Sequence, residues 1–164
     1  MNSSPFLAAS PLFRDLDEAE KAQILAIGQI RFYSPEETIF EEGTAGDGLF
    51  IVISGAVRIS KRSASGEEAL AILENNDFFG EMSLIDHSPR AANAISNGSC
   101  ELFFVPLQEL GDLIAANHSI ALKVLHALCQ VLVKRLRDTN DRYMGVFTIV
   151  QWGSGQQAGL IPLP

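Results

Sequence analysis

The hydrophobic period of this chain is helical at both ends and strand-like between them. From Pro11 to Gly28 the residues Leu12, Phe13, Leu16, Ala19, Ile24, Leu25 and Ile27 recur at roughly helical spacing. Asp15, Asp17, Glu18 and Glu20 fall between them, on what becomes a wet face. This predicts one or two short helices. From Ile30 to Leu73 short runs rich in Ile, Val and Phe are broken by Gly, Ser, Asn and Asp. Leu49-Phe50-Ile51-Val52-Ile53 is a strand bounded by Gly48 and Ser54-Gly55, and the alternating Ala56 to Lys61 is a half-buried one. Ala69 to Leu73 is a further strand. Strands resume at Ala92 to Ser96 and Cys100 to Val105, with Ser54-Gly55 and Asn97-Gly98 as turn signals. Leu107 to Ala116 fits a short helix. After Asn117, a capping residue, a long helix is expected from His118 to about Tyr143, roughly 39 Å at 1.5 Å per residue. The pattern is therefore α+β: an antiparallel sandwich or barrel between an N-terminal helical segment and C-terminal helices, the last one long.

The long helix carries Ile120, Ala121, Val124, Leu125, Leu128, Val131, Leu132 and Leu136. This face is wider than packing on one small barrel needs, which points to a homodimer through the helix. Residues 144–164, rich in Gly and Gln and lacking periodicity, read as a tail or the start of a linker.

Composition narrows the function. The chain of 164 residues is 47% apolar and 20% charged, which suits one soluble globular domain. Its net charge of −8 and pI of about 4.8 argue against direct binding of nucleic acid. No signal peptide or membrane-spanning stretch is visible, so the expected place is the cytoplasm. Cys100 and Cys129 lack metal-ligand spacing and read as reduced, buried thiols. His87, His118 and His126 form no metal-binding pattern, and no phosphate loop or nucleophile motif appears, so neither catalysis nor a cofactor or metal is expected.

The segment Asp77 to Ala92 breaks the strand rhythm and carries the candidate chemistry. Gly80 permits positive φ and close backbone approach. Glu81 to Asp86 can form a helical turn whose unpaired N–H groups suit an anion, with Met82, Leu84 and Ile85 expected to anchor it to the core. Arg90 stands between Pro89 and two small residues, Ala91 and Ala92, where its fork can reach a phosphate. Glu81 supplies an acceptor for hydroxyls, or a partner for Arg90. A ligand-free Arg90–Glu81 salt bridge is the bland alternative. Asp47 and Asp77 read as turn formers.

Phe79-Gly80-Glu81-Met82-Ser83-Leu84 and Pro89-Arg90-Ala91-Ala92 closely resemble the phosphate-binding cassette of the cyclic-nucleotide-binding domain family, at residues 79–92. The resemblance spans about 11–143, including Glu42-Gly43-x-x-Gly46-Asp47 and Ile53-Ser54-Gly55-x-Val57. It implies a barrel of the double-stranded β-helix, or jelly-roll, type. It also implies that Arg90 pairs with the cyclic phosphate and that Glu81 accepts the ribose 2′-hydroxyl. Backbone N–H groups near Gly80, Met82, Ser83 and Ala91 complete the cradle, and Ala92 ends the motif. Ser83 stands where many members have alanine. Threonine after the arginine favours cGMP in the family; Ala91 has no such hydroxyl, so cAMP is the expected ligand, ahead of cGMP. The resemblance further implies that ligand draws the C-terminal helices over the base, with Tyr143, Phe147 or positions nearer Leu136 as lid. The effector is not readable. The competing readings are the sensor part of a catabolite-activator-type transcription factor, a small barrel enzyme, and a ligand-free interaction module.

Overall fold

The structure is a computed structural model that describes residues 5–64 and 66–154, with side chains as far as 146. Helices α1 (Pro5–Ala9) and α2 (Glu18–Ile27) precede the strands. Residues 11–16, expected to be helical, form turns instead, although Leu12, Phe13 and Leu16 are buried as their pattern requires. The reason is local. The Asp17 side chain takes the N–H of Glu20, and the Glu20 carboxylate takes the N–H of Asp17, so helix winding starts only after Asp17.

The strands are β1 (Gln29–Tyr33), β2 (Thr38–Phe40), β3 (Gly48–Ser54), β4 (Val57–Ser63), β5 (Gly66–Leu73), β6 (Phe78–Phe79), β7 (Asn93–Ser96) and β8 (Cys100–Pro106). They form two antiparallel four-stranded sheets, ordered β1-β8-β3-β6 and β2-β7-β4-β5. The chain passes back and forth between the sheets, giving the expected roll. Two connections differ from expectation. Ser54-Gly55 and Asn97-Gly98 do not close hairpins; each carries the chain from one sheet to the other. Among the described residues, only β4 and β5 form a local hairpin, with Ser63 opposite Gly66. A turn signal marks a reversal, but the pairing partner is chosen by which face each strand must bury.

β3 is buried along five consecutive residues because both of its faces are covered. On the inner side, Phe50, Phe79, Phe104, Val52 and Leu102 form the core of the roll, with Phe50 and Phe79 stacked at 5.1 Å. On the outer side, α2 and α4 (Leu107–Ala116) pack on β8, and α4 also on β3.

The last helix, α5, spans His118–Ser154, past the expected end at Tyr143. Helical hydrogen bonds are local, so Gly145 costs only about 1 kcal/mol and does not stop the helix. Residues 155–164 of the expected tail lie outside the described residues. The chain divides into two compact units, one ending at Ala127 and one starting at Leu128. No described helix is long and apolar enough to cross a membrane.

Glu20 joins α2 to the start of α5. Its buried carboxylate accepts from Lys123 Nζ and Ser119 Oγ, each at 2.6 Å. Burial raises its pKa, but the bonds from Lys123, Ser119 and Asp17 outweigh this and hold it at about 2, against an ordinary 4.5. A depressed carboxylate stabilises the fold above its unfolded pKa and loses that contribution as pH falls through its folded one. Urea midpoints measured between pH 6 and pH 2 are therefore expected to fall on the acid side of 4.5, and Glu20→Gln to flatten that fall. Leu102→Ala, which empties a fully buried core position, is expected to cost about 2–5 kcal/mol in the same assay.

Candidate ligand-binding site

Register brings the expected site residues together. Phe79 on β6 pairs with Phe50 on β3, so the chain leaving β6 lies beside the start of β3. Gly80 then turns with φ +83 into α3 (Met82–Asp86). A Cβ on Gly80 would stand 2.6 Å from Arg90 Nη1 and 3.0 Å from the Gly48 carbonyl, so both the conformation and the close approach require glycine. Gly46 meets Ser83 as tightly, with a notional Cβ 2.4 Å from the Ser83 Cβ.

Arg90 is the centre of this arrangement and is only 3% exposed. Its Nη1 donates to the Gly80 carbonyl at 3.0 Å. Its Nη2 donates to Asp47 Oδ1 at 2.9 Å and to the Gly48 carbonyl at 2.6 Å. The guanidinium also lies 4.1 Å from the centroid of the Phe40 ring and 6.0 Å from that of Phe50. Burial lowers its pKa, while the bond and charge of Asp47 and the charge of Glu81 oppose that shift. Arginine stays protonated in proteins, so a cation is held inside the domain. The backbone of Arg90 is tied as well. Its N–H donates to the Thr44 carbonyl and its C=O accepts from Gly43 N–H, both at 2.8 Å. Asn93 Oδ1 accepts from Glu42 N–H. The loop at 42–47 is thus clipped to 90–93.

One donor is left over. Arg90 Nε is buried and has no hydrogen-bond partner among the described residues. An orphaned buried donor is costly, and on an arginine it is one half of the edge that grips a phosphate bidentately. Glu81, Ser83 and Arg90 are buried together at the start of α3, with Gly80 between the strands and Ala91 and Ala92 following. Gly80 and Arg90 are thus in direct contact and Ser83 lies against Gly46, while Met82 and Ala91 are exposed beside them.

Three details depart from expectation. Arg90 forms an ion pair with Asp47, with the charge of Glu81 also acting on it, so Asp47 is more than a turn former. It lies 43 residues away, beyond any local signal. Met82 and Ile85 do not anchor α3 to the core, because they are 52% and 51% exposed. The five-residue helix is phased so that Ser83 faces inward, and two apolar residues face out. Cys129 is exposed rather than buried; Cys100 is buried, and both are free. Tyr143 is exposed on α5, and the side chain of Phe147, the other candidate lid, lies outside the described residues. Among the described residues, no group of three His, Cys, Asp or Glu could hold a metal ion.

This geometry has known relatives. A regulatory subunit of cAMP-dependent protein kinase from Mycosarcoma maydis is 35% identical over 96 residues, covering 58% of this chain and 18% of the subunit. A CRP-like cAMP-activated global transcriptional regulator from Mycobacterium tuberculosis is 32% identical over 136 residues, 82% of this chain and 59% of the regulator. The crystal structure of the Thermus thermophilus catabolite activator protein matches with a TM-score of 0.72 at 34% identity, over 85% of this chain and 63% of that one. The chain thus spans less than two thirds of the length of these relatives. Because one of them is named a transcriptional regulator, the expectation of no nucleic-acid partner, drawn from the acidic balance of these residues, does not extend to a longer protein carrying them. Residues 30–117, more than half of the chain, match the family described as the cyclic nucleotide-binding domain. With that match and the shared roll, the chain belongs to the cyclic nucleotide-binding domain family.

Proposed function

We propose that the chain is a cAMP-preferring sensor that binds the cyclic phosphate at Arg90 and signals through its C-terminal helices. The observation that carries this reading is the orphaned, buried Nε of Arg90. A phosphate placed against the guanidinium edge supplies the missing acceptor and a full counter-charge in a site of low dielectric. Backbone N–H groups at Gly80, Met82, Ser83 and Ala91 share the remaining oxygens, and Ala92 leaves room beside them. Glu81 accepts the ribose 2′-hydroxyl. Ala91 offers no hydroxyl to a guanine amino group, which supports cAMP over cGMP. The roll supplies no catalytic constellation in this reading; its output is a change of shape.

A homodimer through α5 is part of the same proposal. Leu122, Leu125, Cys129, Leu132, Leu136, Thr139, Tyr143 and Val146 follow alternating steps of three and four, the spacing of a two-stranded coiled-coil seam. Leu122 is 70% exposed and Leu136 61%. The relative named as a transcriptional regulator favours a second, compatible reading: the sensor part of such a regulator, coupled to an output domain in a longer protein.

Calorimetric titration is expected to show micromolar or tighter cAMP binding, with cGMP weaker. Arg90→Ala, checked as folded by circular dichroism, loses two charge-assisted bonds and is expected to bind about a hundredfold more weakly or worse. Gly80→Ala should weaken binding by a comparable factor, since its Cβ meets Arg90 and a backbone carbonyl. Ala91→Thr should narrow the gap between cGMP and cAMP. Silence with both nucleotides from folded, ligand-free protein would leave a ligand-free interaction module as the better account. For the dimer, gentle oxidation is expected to cross-link two chains through Cys129, and Leu136→Glu to yield a monomer by light scattering. A wild-type monomer would remove that part of the proposal.

A further inference from the structure

A second polar focus lies away from the cradle. Glu20, on α2, is 5% exposed, and its carboxylate takes three donors. Ser119 Oγ and Lys123 Nζ approach at 2.6 Å, and Asp17 N–H at 2.8 Å. Ser119 and Lys123 belong to the first two turns of α5. That helix begins at Asn117, whose Oδ1 accepts from the N–H groups of Ser119 and Ile120. Ile120 and Val124 are buried nearby. Their apolar burial is non-directional and tolerates a shift of the helix. The bonds to Glu20 do not, because a buried carboxylate left without its donors carries the full desolvation cost.

The same elements connect to Arg90. The Asp47 side chain holds Arg90 Nη2, and the Asp47 carbonyl accepts from Leu107 N–H, the first residue of α4. α4 packs on α2 and leads through Asn117 directly into α5. A phosphate at the cradle competes with Asp47 for the same guanidinium. The loop that carries Asp47 is hydrogen-bonded to the start of α4, and the end of α4 is the start of α5.

We propose that Glu20 is a latch that holds the start of α5 in the position observed here, and that nucleotide binding works against it through Asp47 and α4. This rests on the cAMP-sensor reading above. Glu20 touches no ligand and acts as a positioning residue. In this proposal the two bonds from α5, those of Ser119 and Lys123, exist in only one of two helix positions, so their free energy is subtracted from binding. Weakening the latch therefore raises nucleotide affinity, where a purely structural role would leave it unchanged or lower it.

The test combines calorimetry with amide hydrogen exchange on the whole chain. Glu20→Gln, Lys123→Met and the milder Ser119→Ala are each expected to bind cAMP roughly three- to tenfold more tightly than wild type. In these variants the amides at 118–127 should exchange faster without nucleotide, and in the wild type cAMP alone should speed the same amides. The Glu20→Gln/Lys123→Met double variant should gain little over either single one, since both remove the same contact. If Glu20→Gln does not fold, Ser119→Ala decides alone. Wild type that binds cAMP while folded latch variants bind it equally or more weakly overturns the latch and leaves the sensor reading standing. Wild type that binds neither nucleotide overturns the sensor reading and the latch with it.

Discussion

A guanidinium cannot be left in a protein interior without acceptors, and most of the geometry around Arg90 follows from that requirement. The cation is almost completely buried, so its donors must find oxygen atoms inside the chain. It finds them at the start of β3, at the turn after β6 and on Asp47. Asp47 and Gly48 are consecutive residues, and Gly80 comes from a second segment. The arginine therefore draws the ends of two strands and the 42–47 loop to a single point. The backbone on either side of it repeats the same connection through Thr44, Gly43 and Asn93. Glycine at 46 and 80 is the steric consequence, since a side chain at either position would occupy space that Ser83 or Arg90 already fills.

The aromatic interior makes this burial tolerable. Phe40 presents its ring face to the guanidinium, and Phe50, Phe79 and Phe104 close the space behind it. These rings exclude water, and in a dry site every remaining charge interaction is strengthened. The same dryness makes the unpartnered Nε expensive. The site is thus held together by the chain's own atoms, with Arg90 Nε left without a partner among the described residues. Asp47 meets part of the need for counter-charge from the rim of the roll, where it stays largely solvent-exposed. Glu20 is the comparable case on the helical side. It too is a buried charge whose side-chain partners come from a distant segment, and it ties α2 to the first turns of α5. α4 lies between the two, tied to Asp47 at its first residue and continuous with α5 at its last.

Several features were legible in the sequence because their causes are local. The period of apolar residues located β3, β4, β7, β8 and α4 within a residue or two, since periodicity reports which face is buried. The segment at 79–92 stood out because its glycine, glutamate and arginine interrupt the strand rhythm at a spacing set by one short helix, and the close approach of Arg90 does require glycine at 80. Other features had no local cause. The phase of α3 placed Ser83 inward and Met82 outward, although hydrophobicity alone ranks them the other way. The turns at 54–55 and 97–98 were visible as reversals, but nothing nearby indicated that each one changes sheets. The capping box at Asp17 and Glu20 was present in the sequence as a spacing, and it delays the start of α2 beyond the apolar pattern.

By itself, then, the sequence determined the class of the fold and the position of its longer elements, because propensity, period and motif all act over a few residues. Tertiary structure alone decided what those residues touch. The Arg90–Asp47 pair spans 43 residues and the Glu20–Lys123 pair spans 103. Contacts at such separations depend on strand order and helix packing, which are settled by the burial of the whole core rather than by any one segment. A charged side chain in the sequence announces only that it needs a partner, and the folded chain determines which one it finds.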